Sequence, residues 1–178
     1  MPDLRIRPVE ERDLPAVRRL VRELAEYERL LDDCKLTVEQ LRAALFGPAP
    51  ALFCHVAVAD AGPSPAGGEV VGCALWFLNF STFRGTHGIY LEDLYVRPDH
   101  RGTGLGRALL RTLAQECVRH GYARLEWSVL DWNTPSIDFY KSLGAQPMAE
   151  WTTFRVTDAA LLALGGDPDE EPDRDLGE

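Results

Sequence analysis

At 178 residues, 46% hydrophobic and 26% charged, the chain has the make-up of one soluble domain with a substantial core and a tail. Its net charge of −9 is mostly local, because residues 167–178 hold seven acids against one base and leave only −3 for residues 1–166, a balance that argues against nucleic-acid binding. No apolar run approaches the roughly 18 residues that span a bilayer, and Met1-Pro2-Asp3-Leu4-Arg5 lacks a signal-like apolar core, so no membrane segment and a cytoplasmic location are expected.

Leu4 to Pro8 alternates apolar residues with Arg and suits a first, edge-like strand closed by Pro8. From Asp13, a candidate N-cap followed by Pro15, apolar residues recur at spacings of three and four (Leu14, Val17, Leu20, Val21, Leu24), which predicts a helix ending between Tyr27 and Leu31. Thr37 and Gln40 have capping-box spacing and open a second helix that Gly47-Pro48 stops. Leu52 to Ala59 and Val70 to Phe80 read as a strand pair around a loop rich in Gly and Pro. A turn over Ser81 to Gly88 leads into a strand over Ile89 to Val96. Leu105, Ala108, Leu109, Leu113 and Val118 mark an amphipathic helix ended by Gly121. Leu125 to Leu130 is a strand, Asn133 to Leu143 a helix, and Gln146 to Val156 a last strand or two. The order predicts an α/β (α+β) fold, with a mixed, mostly antiparallel sheet and helices on its faces. A domain over residues 1–164 and an acidic, disordered tail over 165–178 are expected.

Cys34, Cys54, Cys73 and Cys117 are scattered, with no C-x-x-C pair, and His55, His87, His100 and His120 form no metal-ligand pattern. Four buried free thiols and no metal are expected.

The chemistry concentrates between Tyr90 and Gly106. Tyr90-Leu91-Glu92-Asp93-Leu94-Tyr95-Val96 sets two acids inside a strand, where burying a carboxylate is costly. Arg101-Gly102-Thr103-Gly104-Leu105-Gly106 then sits where a strand hands over to a helix, so its N–H groups converge on one spot and the helix dipole favours an anion there. G-x-G-x-x-G fails in both frames, at Arg107 and at Leu109, and the G-K-[ST] of a P-loop is missing. A pyrophosphate outside those two motifs is the guest implied. Glu126 lies at a distance that suits a ribose-binding acid, but inside its strand rather than at the strand's end.

R-x-x-G-x-G after an apolar strand, with Asn133-Thr134-Pro135-Ser136-Ile137-Asp138-Phe139-Tyr140-Lys141-Ser142-Leu143-Gly144-Ala145 downstream, resembles the GCN5-related N-acetyltransferases over residues 4 to 156. Tyr90 to Val96, Arg22-Glu23-Leu24-Ala25-Glu26-Tyr27-Glu28 and Val129-Leu130-Asp131-Trp132-Asn133 look more narrowly like the diamine and thialysine acetyltransferase branch. The resemblance implies a sheet of six to seven strands flanked by about four helices, acetyl-CoA as co-substrate, a small primary amine as acceptor, and a homodimer.

An alkyl ammonium with a pKa near ~10.4 is about 0.1% neutral near pH 7.4, so acetyl transfer to it needs a proton acceptor. Glu92 is the expected base, acting through water, since burial in an apolar strand raises a carboxylate and the resemblance points to the same position. Asp93 points to the other face of an ideal strand and is expected to be structural, unless a bulge exchanges the two. Tyr140 is the expected acid for the departing thiolate, chiefly on resemblance. A backbone N–H near Leu94 suits the oxyanion, and Leu94, Tyr95 and Val96 would hold the pantetheine arm like an added strand. Arg101, Gly102, Thr103, Gly104, Leu105, Gly106 and Arg107, with Asn133, Ser136, Tyr140 and Lys141, complete the expected cofactor set. Tyr27, Glu28, Glu92 and Glu126 are expected at the acceptor. Ser81-Thr82 before an aromatic resembles thialysine enzymes, and Arg84 would repel a polycation, which favours a small amine or lysine analogue over spermidine. Two other activities fit the same motifs: acetylation of protein or peptide amines, and non-catalytic acyl-CoA sensing.

Overall fold

A computed structural model describes residues 3, 5–59 and 68–166. The chain forms two compact units, Met1–Trp132 and Asn133–Glu178.

The first unit is built on one sheet whose strands lie side by side in chain order: β1 (Ile6–Pro8), β2 (Phe53–Ala59), β3 (Glu69–Ser81), β4 (Thr86–Val96) and β5 (Leu125–Glu126). The first four pair antiparallel and β5 joins β4 in parallel. The expected six to seven strands are thus five among the described residues. Pairing with β4 stops after Glu126, although the apolar sequence continues to Leu130, and residues 146–156 form no strand. The β3–β4 hairpin is longer than the sequence suggests, because β4 begins at Thr86 and leaves only residues 82–85 in the turn, where Gly85 takes a left-handed φ of 64°.

Helix α1 (Leu14–Tyr27) has Asp13 at its N-cap position and Pro15 in its first turn as expected, but the Asp13 side chain makes no capping bond. Asp13 is buried and instead accepts bonds from Arg7 Nη1 (2.6 Å) and the Glu10 N–H (2.8 Å), tying β1 to the helix start. Helix α2 (Val38–Phe46) opens on the capping box read from sequence: the Gln40 N–H donates to Thr37 Oγ1 (3.1 Å) and the Thr37 N–H to Gln40 Oε1 (2.9 Å). Leu14, Val17 and Leu20 of α1 and Leu41 and Leu45 of α2 pack on Cys54, Val56, Cys73, Leu75 and Tyr95, which defines one face of the sheet. Helix α3 (Leu105–His120) buries Leu105, Ala108, Leu109, Leu113 and Cys117 against the sheet and ends at left-handed Gly121. Cys54, Cys73 and Cys117 are buried free thiols; Cys34 is only half-buried.

In the second unit, Asn133 Oδ1 accepts the Ser136 N–H (3.4 Å) and Pro135 occupies the first turn of α4 (Thr134–Ser142), which runs out at left-handed Gly144. A fifth helix, α5 (Asp158–Gly165), stands where no helix was expected, so the described helices number five rather than about four. Residues 167–178, which contain most of the expected tail, lie outside the described residues.

Candidate active site

The site begins with an irregularity in β4. Leu91 lies opposite Trp76 and Asp93 opposite Leu75, so one residue of β3 faces two steps of β4 and Glu92 is the inserted residue of a β-bulge. Tyr90 packs on Phe77 (ring centroids 5.1 Å apart), and Phe77, Leu75 and Cys73 alternate along β3 on the face covered by α1. Tyr90, Asp93 and Tyr95 therefore share that face, although the first two are three positions apart. An unbroken strand would send Asp93 to the other side. The expected division of the acids is corrected accordingly: Glu92 is exposed, and Asp93 takes the sheltered position beside α1. Burial, then the charges of Glu92 and Glu28, push the Asp93 carboxyl up to about 6.

Glu28 belongs to the end of α1. That end closes with the Leu30 N–H on the Ala25 carbonyl (2.8 Å) and the Arg29 N–H on the Glu26 carbonyl (3.1 Å), the double bond of a Schellman motif. Glu28 is half-buried, and burial raises its carboxyl as well. Tyr27 lies 5.8 Å from the Trp132 ring, and the Arg101 guanidinium sits over both Tyr27 (5.2 Å) and Tyr95 (5.4 Å) while Nε donates to the Val96 carbonyl (2.9 Å). Arg101 thus joins the glycine loop to the end of α1 and to the end of β4.

The outer edge of β4 has no strand partner among the described residues where the bulge ends. The Arg97 N–H bonds to the Val71 carbonyl (3.0 Å), which sets the ladder so that Tyr95 exchanges bonds with Cys73 while Leu94 and Val96 turn their N–H and C=O away from β3. Strand β5 pairs only with Ile89 and Tyr90, so no described strand covers that edge. Beyond it, Gly102 (φ 76°) and Gly104 (φ 87°) take left-handed backbone, and Gly104 starts α3 with no side-chain cap. Thr103 is held from both sides, by Arg5 Nη1 on its carbonyl (3.2 Å) and by its own hydroxyl on the His100 carbonyl (2.6 Å). Leu105 is buried, so it can offer a ligand only backbone; Gly106 and exposed Arg107 follow in the first turn. An arm bearing amides, followed by a pyrophosphate, fits this edge and helix start.

Glu126 is engaged with protein groups: Arg124 Nε is 2.7 Å from its Oε2, and Asn79 Nδ2 donates to the same oxygen (2.9 Å). Asn133, Ser136, Tyr140 and Lys141 all belong to the second unit, where they occupy the start and the last turns of α4. Sequence reasoning left out Trp132, which lay inside a recognised motif without a role, and Arg29, whose left-handed backbone no residue pattern announces because glycine is the usual occupant.

The Acetyltransferase (GNAT) family model matches residues 16–145. The chain belongs to that family. This acetyltransferase is 42% identical over 165 residues to a thialysine N-epsilon-acetyltransferase of Bos taurus, covering 90% of this chain and 96% of the other. It is 29% identical over 198 residues to an L-ornithine N5-acetyltransferase of Arabidopsis thaliana, covering 90% and 87%. Among solved structures, an integron cassette protein from the mobile metagenome of V. cholerae superposes with a TM-score of 0.73 at 25% identity, covering 91% of this chain and 97% of that one. The mixed sheet flanked by helices is the GNAT fold, and the chain is an enzyme of the transferase class.

Proposed function

We propose that this enzyme moves the acetyl group of acetyl-CoA to the primary amine of a small cationic acceptor, of the thialysine or diamine kind. The observation that carries the proposal is the gathering of Glu28, Glu92 and Asp93 at the end of α1 and the β4 bulge, next to an open strand edge that leads to the glycine loop. Three acids so close together repel one another, and a bound ammonium relieves that repulsion. The names of the curated relatives support an amine acceptor.

Acetyl-CoA supplies the activated thioester acetyl. Leu94, Tyr95 and Val96 would align its arm, and the stretch from Arg101 to Arg107 would take the pyrophosphate on backbone N–H groups and guanidinium charge. The family's motif assigns Asn133, Ser136 and Lys141 of α4 to the same cofactor. Asp93, ionised above about pH 6, holds the acceptor's ammonium group together with Glu28. Glu92, exposed on the bulge, takes the ammonium proton through water, which frees the nitrogen lone pair for attack. The Leu94 N–H, turned to the open edge, stabilises the negative charge that develops on the acetyl oxygen. The family's motif would give Tyr140 the return of a proton to the departing sulfur. Glu126, already paired with Arg124 and Asn79, contributes a distant negative field at the acceptor end rather than a free carboxylate.

Residues 1–164 would form the catalytic domain, with the acidic tail outside it, in a cytoplasmic homodimer. Met148, Trp151, Phe154, Leu162 and Leu164 of the second unit are exposed, which supports assembly. No described helix is long and apolar enough to cross a membrane.

Incubation with acetyl-CoA and a panel of thialysine, lysine, ornithine, putrescine and spermidine tests the activity, and a panel without acetylated amine would refute it. Glu92→Gln is expected to lower kcat by about 10² to 10⁴ at neutral pH. The deficit should shrink as the pH approaches the amine's own pKa, and an unchanged pH profile would remove Glu92 as the base.

A further inference from the structure

Arg29 ends α1 in a backbone conformation that suits glycine. Its φ is 63°, it stands at the position after the helix cap where the Schellman motif turns left-handed, and a side chain there is strained. The strain accompanies a definite placement of the side chain. The guanidinium lies over the Trp132 ring at 5.6 Å, and Trp132 in turn meets Tyr27. No carboxylate among the described residues pairs with it. Opposite charges thus stand side by side at this helix end: Glu28 is close enough to Asp93 to oppose its charge, while Arg29 holds its cation on the Trp132 ring.

We propose that Arg29 reads a carboxylate on the acceptor, so that this enzyme selects an amine carried by an amino acid over a carboxylate-free diamine or polyamine. The inference rests on the amine acetyltransferase activity proposed above and names the acceptor class of that same site. A dipolar acceptor places its ammonium among Glu28, Glu92 and Asp93 and its carboxylate on the Arg29 fork. Arginine suits that task because a planar guanidinium matches a carboxylate with two parallel bonds while its face stays stacked on the indole. A diamine brings a second cation to the same point and meets Arg29 as a like charge, so the residue discriminates by attraction and by repulsion at once.

The test compares thialysine, thialysine carboxamide and the diamine that lacks the carboxyl carbon, using wild-type protein, Arg29→Gly and Arg29→Lys. Glycine relieves the left-handed strain, so Arg29→Gly should fold with an undiminished Tm and can be assayed directly. The wild type should show a kcat/KM for thialysine about tenfold above that for the carboxamide, the effect expected of one charge-assisted bond. Arg29→Gly should bring that ratio close to one, mainly through the KM for thialysine, and should raise kcat/KM for the diamine. Arg29→Lys should restore part of the ratio. A wild type indifferent to the carboxylate, or an Arg29→Gly variant that loses the same factor on all three acceptors, overturns the assignment while leaving the acetyltransferase activity in place. Failure of the wild type to acetylate any amine would overturn both.

Discussion

Asp93 is the carboxylate that the fold keeps at a cost. Its pKa rises from 3.8 to about 6 because burial and two neighbouring carboxylates oppose its charge. A carboxylate raised in the folded state binds its proton more tightly there than in the unfolded chain. Folding is therefore unpenalised below the unfolded value near 4 and penalised in full above about pH 6. A shift of this size corresponds to about 2 to 3 kcal/mol. Asp93→Asn should accordingly raise the unfolding free energy by that amount at pH 7.5, with the gain vanishing toward pH 4, as measured by denaturant titration across the range. The same variant should weaken the cationic acceptor and erase an acidic limb near pH 6 in the wild-type kcat/KM profile. A stabilisation independent of pH would show that Asp93 is not held in this state. The sequence singles out both acids, since carboxylates inside an apolar strand need a reason. It does not say which is buried, because one inserted residue reverses the alternation and no residue type at the bulge announces it.

At the scale of the elements, the donor loop and the helices capped by local chemistry are the most legible. The capping box at Thr37 and Gln40 and the left-handed glycine after α3 depend on bonds between residues a few positions apart, and sequence spacing alone specifies them. Gly104 belongs to the same class. A Cβ placed there would meet nothing within 4 Å, so its requirement comes from the backbone, at φ 87°, and not from crowding. Gly104→Ala should therefore cost about 1 kcal/mol of stability in thermal melts. Calorimetric titration should also show weaker binding of CoA, since the loop's N–H groups are re-aimed. A variant that binds CoA like the wild type would exclude this loop from the cofactor site. The errors fall where distant partners decide. Asp13 has the spacing of a cap, but Arg7 and the Glu10 backbone take its carboxylate. Leu125 to Leu130 has the composition of a six-residue strand, but only two residues find a partner on β4.

At the scale of the molecule, the apolar side chains of the second unit bear on assembly. Met148, Trp151 and Phe154 stand exposed in a segment that was expected to be a strand and forms none, and Leu162 and Leu164 are exposed on α5. A homodimer that covers them would explain why the sequence has strand-like composition there without a strand partner among the described residues. Sedimentation at low micromolar concentration should give a dimer, and the double substitution Trp151→Ser with Phe154→Ser should shift it to monomer. A wild-type monomer at that concentration would remove the assembly from the proposal.

The sequence by itself determined the family, the glycine loop and the kinds of residue the chemistry uses, because phosphate-binding turns, helix caps and the supply of carboxylates are local properties of the chain. Only the tertiary structure decided how those residues are shared out. The β4 bulge puts Asp93 on the α1 face and leaves Glu92 exposed, the ending of β5 leaves Leu94 and Val96 without a strand partner on that side among the described residues, and Arg29 is set on Trp132. Each of these depends on pairing register or on contacts between residues far apart in sequence, where a shift of one residue changes which side chain is buried.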